Sequence, residues 1–108
     1  MENHNTEFFN RIYDIVEVIP EGKVISYGEI AKILGRPRNA RLVGTAMKNV
    51  PKERNLPCHR VVSKSGALAP GYVFESKEIQ KALLISEGVE FDKKDRIKKE
   101  SFLDNKSW

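Results

Sequence analysis

The single cysteine of the chain, Cys58, stands beside a histidine in the run Leu56-Pro57-Cys58-His59-Arg60-Val61-Val62. A thiolate is the nucleophilic form of cysteine, and a neighbouring imidazole lowers the cost of forming it. Successive residues of a strand point to opposite faces, so Cys58 and His59 can cooperate only where the backbone leaves strand geometry. Pro57 favours such a departure. By residue type alone, a lone cysteine next to a histidine is also readable as a buried structural thiol, and both readings stand at this point.

The frame around this pair must be small. With 108 residues the chain has room for one modest core, so residues 1–108 are expected to form a single domain, with 92–108 a basic C-terminal tail. A net charge of +4 and a pI near 9.3 lean towards a polyanionic partner. One cysteine excludes an internal disulfide and suits a reducing cytoplasm. The stretch Met1 to Asn5 lacks the apolar run of a signal peptide, and no segment approaches the roughly 20 apolar residues of a membrane span. Two histidines and one cysteine without metal-ligand spacing argue against zinc, and no cofactor is expected.

The positioning elements are mostly helical. Phe8, Phe9, Ile12, Ile15, Val16 and Ile19 recur at three- and four-residue intervals, predicting an amphipathic helix capped by Thr6 and ended by Pro20-Glu21-Gly22. After a β-like Val24-Ile25, Ser26 and Glu29 read as a capping box. The helix that follows, Tyr27 to Leu34, would bury Ile30, Ala31 and Leu34, with Gly35 as its stop. Arg36-Pro37-Arg38-Asn39 is a tight basic turn, and Asn39 can cap a helix from Ala40 to Lys48 that buries Leu42, Val43 and Met47. Two short helices joined this way are a helix-turn-helix pattern. Ala40, Gly44, Thr45 and Ala46 leave one face of the second helix free of bulk, with Arg36, Arg38, Arg41 and Lys48 around it as candidate phosphate contacts. A solvated basic face is the other reading of these charges.

Beyond Cys58, Arg60-Val61-Val62 can begin a strand followed by a hairpin-like turn at Ser63-Lys64-Ser65-Gly66. Ala67 to Phe74 reads as an irregular loop. Ser76 can cap a helix through Ser86 with Ile79, Leu83 and Leu84 inward and Gly88 as terminator, and Val89-Glu90-Phe91 can form a last strand. From Asp92 the chain is rich in lysine and arginine, a composition usual for a flexible tail, although Phe102, Leu103 and Trp108 could pin it. The expected fold class is α/β and mainly helical, a winged-helix-like domain with a helix-turn-helix and short strands near Val24 and Val61.

The run around Cys58 resembles the active-site signature of the O6-alkylguanine-DNA alkyltransferases, which move an alkyl group from damaged guanine onto their own cysteine. Ile25-Ser26-Tyr27-Gly28-Glu29-Ile30-Ala31 is similar to the family's entry to its helix-turn-helix. Ala40-Arg41-Leu42-Val43-Gly44-Thr45-Ala46-Met47 is similar to its recognition helix, and Leu83-Leu84-Ile85-Ser86-Glu87-Gly88-Val89 to its closing helix. The blocks keep the family order from about Thr6 to Phe91.

The resemblance implies that Cys58 is the alkyl acceptor in a single-turnover transfer, with His59 deprotonating it through a bound water and Glu87 holding and polarising His59. It implies that Arg41 enters the base stack as a finger and that Tyr27 crowds the target phosphate, both from the minor groove, to extrude the base. Tyr27, Pro57, Val62 and Tyr72 would line the substrate pocket. Arg60 reads as a structural ion-pair donor. The partner implied is double-stranded DNA containing O6-alkylguanine, bound by a cytoplasmic monomer (at the nucleoid if the cell is bacterial).

The chain also departs from the family pattern. Val50-Pro51 replaces the Asn-Pro of active members, and Gly71-Tyr72 runs into Val73-Phe74-Glu75 rather than serine and paired glycines. The loss of that asparagine, the one-domain length and Trp108 resemble the alkyltransferase-like proteins, which usually carry Trp in place of the cysteine, bind the lesion without repairing it and flag it to nucleotide excision repair proteins. Three readings therefore compete: a suicide alkyltransferase, a non-catalytic lesion sensor, and a winged-helix DNA-binding protein with an incidental cysteine.

Overall fold

A computed structural model describes residues 4–68 and 76–103. The first helix, α1 (His4–Glu17), buries Phe8, Ile12, Tyr13, Ile15 and Val16, and Ile19 just beyond it. It begins before the expected cap, so Thr6 lies inside its first turn, because the burial of Phe8 one turn ahead of Ile12 holds that turn against the core. Its last turn tightens to three-residue hydrogen bonds, Val18 to Ile15 and Ile19 to Val16, each 3.2 Å.

Strand β1 (Ile25–Ser26) leads straight into α2 (Tyr27–Ile33), and the Ser26 hydroxyl accepts from the Glu29 amide at 3.0 Å. The basic turn is closed by the Asn39 amide on the Arg36 carbonyl at 2.9 Å, and α3 (Ala40–Lys48) follows. Asn39 occupies the cap position, but its side chain makes no capping bond. With φ −104° and ψ 29° its backbone is outside the extended region that aims a capping side chain, and its carbonyl instead receives the amides of Leu42 and Val43. Ile30 and Ala31 of α2 meet Val43, Ala46 and Met47 of α3 and the apolar stripe of α1 in one core. The expected helix-turn-helix is present.

Strand β2 (Val61–Val62) pairs with β1 in parallel, Ile25 opposite Val61 and Ser26 opposite Val62. The Ser63 to Gly66 turn forms, but it does not return the chain alongside β2 as a hairpin would. Alternation splits the sheet between two cores. Ile25 and Val61 enter the main one, while Val24 and Val62 join Leu84, Val89 and Ile97 in a second.

The last helix, α4 (Lys77–Ser86), starts at Ser76, whose hydroxyl accepts from the Ile79 amide. It presents Gln80 and Leu84 inward, whereas Ile79 and Leu83 are 44% and 38% exposed, against the expected face. The physical reason is polar: the Gln80 amide is needed inside, as described below. The helix ends with Val89 N–H on the Leu84 carbonyl and Gly88 N–H on that of Ile85, both 3.0 Å, and Gly88 takes the positive φ of 95° that this ending requires. Glu87 is thereby set at the cap.

Two other expectations change. The stretch from Val89 to Phe91 contributes a single bridge, Phe91 to Ile97, rather than a strand. Residues 92–103 are folded back rather than flexible, pinned by Phe102 and Leu103 as the alternative reading allowed: Ile97 is buried, a 3-10 turn spans Lys99–Ser101, and Phe102 bridges Val24 in parallel. The expected loop from Ala69 onward, with Tyr72 and the 71–75 segment, and the terminal Trp108 lie outside the described residues.

Candidate functional site

The approach to Cys58 is built residue by residue. Val50 packs against the main core. A 3-10 turn at Lys52–Arg54 follows, and Arg54 fastens it to α1 through Glu17 at 2.8 Å and Asp14 at 3.3 Å, its guanidinium lying over the Tyr13 ring. Tyr13 in turn donates its hydroxyl hydrogen to the Ala46 carbonyl at 2.8 Å, tying α1 to α3. Pro57, at φ −76° and ψ 66°, is the centre of an inverse γ-turn in which the Cys58 amide bonds the Leu56 carbonyl at 2.8 Å. Cys58–Arg60 then form a 3-10 turn, so the backbone does leave strand geometry where the Cys58–His59 pair needs it to.

Glu87 gathers the two residues after the cysteine. Its Oε2 lies 2.8 Å from His59 Nε2 and accepts from Arg60 Nη2 at 2.8 Å, while Oε1 accepts from Arg60 Nε at 3.0 Å. Arg60 Nη1 also donates to the Ile19 carbonyl at 2.7 Å, linking this centre to the end of α1. The two-point contact with Arg60, and then the His59 bond, hold the Glu87 carboxyl down at about 2. An ionised Glu87 can take part in this contact only as the acceptor of a hydrogen on His59 Nε2.

Cys58 is a free, partly buried thiol packed against the main core. Its burial pushes the thiol pKa up, opposite to the lowering that an adjacent imidazole suggested, with a backbone hydrogen bond opposing only in part. Tyr27 packs on the same core as Cys58, at the start of α2. Val62 cannot line a pocket with its side chain, because it is fully buried in the second core; on a two-residue strand between two cores, both faces are covered. Pro57 remains partly accessible, and Tyr72 is among the residues not described.

On the helix-turn-helix, Arg38, Asn39, Arg41, Leu42 and Thr45 surround a shallow groove of about 310 Å³. Arg38, Arg41, Thr45 and Lys48 are exposed, Ala40 and Gly44 half-buried. Nothing lies within 4 Å of where a Gly44 side chain would begin, so that position is open to a partner. Arg36 is exposed but turned towards α1, its guanidinium 4.8 Å above the Phe8 ring.

Two positioning residues escaped the sequence reading. Gln80, 2% exposed, donates its amide hydrogens to the main-chain oxygens of His59 at 3.0 Å and Val61 at 3.4 Å. Arg54 is the other. The only signal in the sequence was that Gln80, Leu84 and Gly88 share a four-residue spacing.

Residues 7–89 match the family model for the DNA-binding domain of 6-O-methylguanine DNA methyltransferase. The chain is 44% identical over 84 residues to alkyltransferase-like protein 1 of Schizosaccharomyces pombe, covering 78% of each. It is 42% identical over 82 residues to the DNA base-flipping protein of Escherichia coli, covering 76% of this chain and 62% of that one. The methylated-DNA–protein-cysteine methyltransferase of Methanosarcina acetivorans is 40% identical, and this chain spans 52% of its length. The S. pombe protein solved with damaged DNA containing O6-carboxymethylguanine superposes with a TM-score of 0.77 at 37% identity, over 95% of this chain and 98% of that one.

Proposed function

Because the chain belongs to the 6-O-methylguanine DNA methyltransferase family through its DNA-binding domain, we propose that it binds O6-alkylguanine in duplex DNA, extrudes the base, and takes its alkyl group on Cys58. We read residues 1–108 as one such domain. The observation that supports the proposal is the Cys58–Arg60 turn, in which the residue after the cysteine is a histidine whose Nε2 lies 2.8 Å from Glu87 Oε2.

The chemistry balances without a cofactor. His59 Nδ1 accepts the thiol proton through water, sulfur attacks the saturated alkyl carbon, and the carbon–O6 bond breaks with its electron pair on the purine. Guanine takes back one proton, and Cys58 keeps a thioether. Arg41, at the edge of the groove on α3, fills the gap left in the stack. Tyr27 crowds the target phosphate, and Arg38 and Lys48 contact the backbone. The extrusion costs a few kcal/mol, which the inserted side chain and the pocket offset.

A second reading, a sensor that binds the lesion without transfer and hands it to excision repair proteins, is favoured by two observations. Val50 places an apolar side chain against the core where active members carry asparagine, and burial pushes the thiol pKa up, away from the nucleophilic thiolate. Intact mass after incubation with an O6-methylguanine duplex decides: transfer adds one methylene, about 14 Da, to Cys58. Tight lesion-selective binding with no added mass establishes the sensor. Equal affinity for damaged and undamaged duplex overturns both.

A further inference from the structure

We propose that Lys64, Lys93, Lys94 and Arg96 form a second phosphate-binding surface, separate from the helix-turn-helix, that grips the DNA backbone beside the lesion. The inference rests on the DNA-binding reading above and gives the protein a second foothold on the duplex.

Position comes first. Because Ser26 lies opposite Val62 in the parallel pair, the turn beginning at Ser63 leaves the sheet beside Tyr27. The Gly66 amide closes it on the Ser63 carbonyl at 3.0 Å, and the Ser63 hydroxyl donates to the Ala67 carbonyl at 2.6 Å, with Lys64 exposed at its tip. A second turn sits directly on it, the Ile97 amide donating to the Gly66 carbonyl at 2.9 Å. Gly66 has a φ of 85°, and a side chain there would begin 2.9 Å from the Ile97 carbonyl oxygen, so the two backbones abut.

The second turn is a platform for cations. The Asp92 carboxylate accepts the amides of Lys94 at 2.8 Å and Arg96 at 3.0 Å, and the Asp92 amide bonds the Arg96 carbonyl at 2.7 Å. The side chains of Lys93, Lys94 and Arg96 are left exposed. The carboxylates between them are occupied: Asp92 on those backbone amides, with Lys94 and Arg96 close by, and Asp95 on Lys81. Among the described residues none of the four cations forms an ion pair, while Lys98 is paired with Glu90.

Four cations on two abutting turns fit a polyanion, and their place in the fold selects DNA. The first turn continues the strand that follows the Cys58 turn, and the three extended steps from Arg60 through Val61 and Val62 put Ser63 about 10 Å beyond Arg60. A duplex that delivers a base to Cys58 therefore runs its backbone past Lys64 and the platform behind it.

The test uses the full chain carrying Lys64→Gln, Lys93→Gln, Lys94→Gln and Arg96→Gln together. These changes keep the backbone bonds of both turns. Affinity for an O6-methylguanine duplex and for the undamaged duplex is measured by anisotropy between about 50 and 200 mM salt. The slope of log affinity against log salt should fall by about two to four units, near 0.9 for each phosphate no longer neutralised. The ratio of lesion to undamaged affinity should stay within about twofold, because these cations read no base. A wild-type protein that prefers the lesion, beside a variant of unchanged slope, removes the second surface and leaves the lesion-binding reading standing. A wild-type protein that binds neither duplex overturns both.

Discussion

Gln80 reaches from α4 to the main-chain oxygen of His59 with a hydrogen bond of 3.0 Å, the one polar side chain that this helix turns into the interior. Replacing it by leucine keeps the bulk and leaves the His59 and Val61 oxygens short of a donor. The expected cost is about 1–3 kcal/mol. The melting temperature should drop by roughly 4–20 °C. Gln80→Leu with an unchanged melt and unchanged lesion affinity would show that the Cys58 turn holds itself.

Acid should expose the Glu87 cluster. In the unfolded chain Glu87 titrates near its ordinary 4.5, and in the fold Arg60 and then His59 hold it at about 2. A depressed carboxyl contributes stability above the unfolded value and loses it as pH falls towards the folded one. The melting temperature should therefore be level above about pH 5 and decline between about pH 5 and 2. Glu87→Gln should be less stable at pH 7 and show a shallower acid decline. Parallel curves for the two proteins would assign the acid limb to other carboxylates.

The buried thiol makes a kinetic prediction. With its pKa pushed up, Cys58 should react with iodoacetamide more slowly than glutathione at pH 7, and its rate should still be rising above pH 9. Labelling faster than glutathione would mean that His59 activates the thiol before any DNA arrives. Cys58→Ser should bind the lesion duplex within about twofold of wild type and gain no mass, since the hydroxyl is similar in size and far less nucleophilic.

Arg41 and Arg38 edge the same groove and should behave differently. Arg38→Ala should weaken damaged and undamaged DNA equally and lower the salt slope by about one unit. Arg41→Ala should cost more on the lesion duplex, and 2-aminopurine at the target site should brighten less at saturating protein. Equal losses on both DNAs would make Arg41 another backbone contact.

Local chemistry made much of this legible in the sequence. Ser26 and Ser76 cap the helices assigned to them, the stripe from Phe8 to Ile19 is buried but for a half-covered Phe9, and Pro57 bends the chain at Cys58. What escaped was set by partners distant in sequence. Ile79, Leu83 and Leu84 mark an apolar stripe as good as any, but the main-chain carbonyls of His59 and Val61 accept from Gln80 and rotate the helix. After Asp92 the charged composition argues for a flexible tail, with Phe102 and Leu103 as hints of anchors, and nothing local announces that Val24 is the partner Phe102 bridges. Val62 was misplaced because a valine pair on a strand does not reveal that each face meets its own core.

The parallel bridges Val24–Phe102, Ile25–Val61 and Ser26–Val62 join three segments that lie tens of residues apart in the sequence. Every one of those pairings closes a long loop before it returns any contact energy, which slows assembly. During synthesis the helix-turn-helix can gather its local contacts early, while Val24 must wait for residues 101–103 to leave the ribosome. The second core, where Val24 and Val62 meet Leu84, Val89 and Ile97, should therefore close after the main core on which Cys58 packs, so the thiol is sheltered before the sheet's other face is.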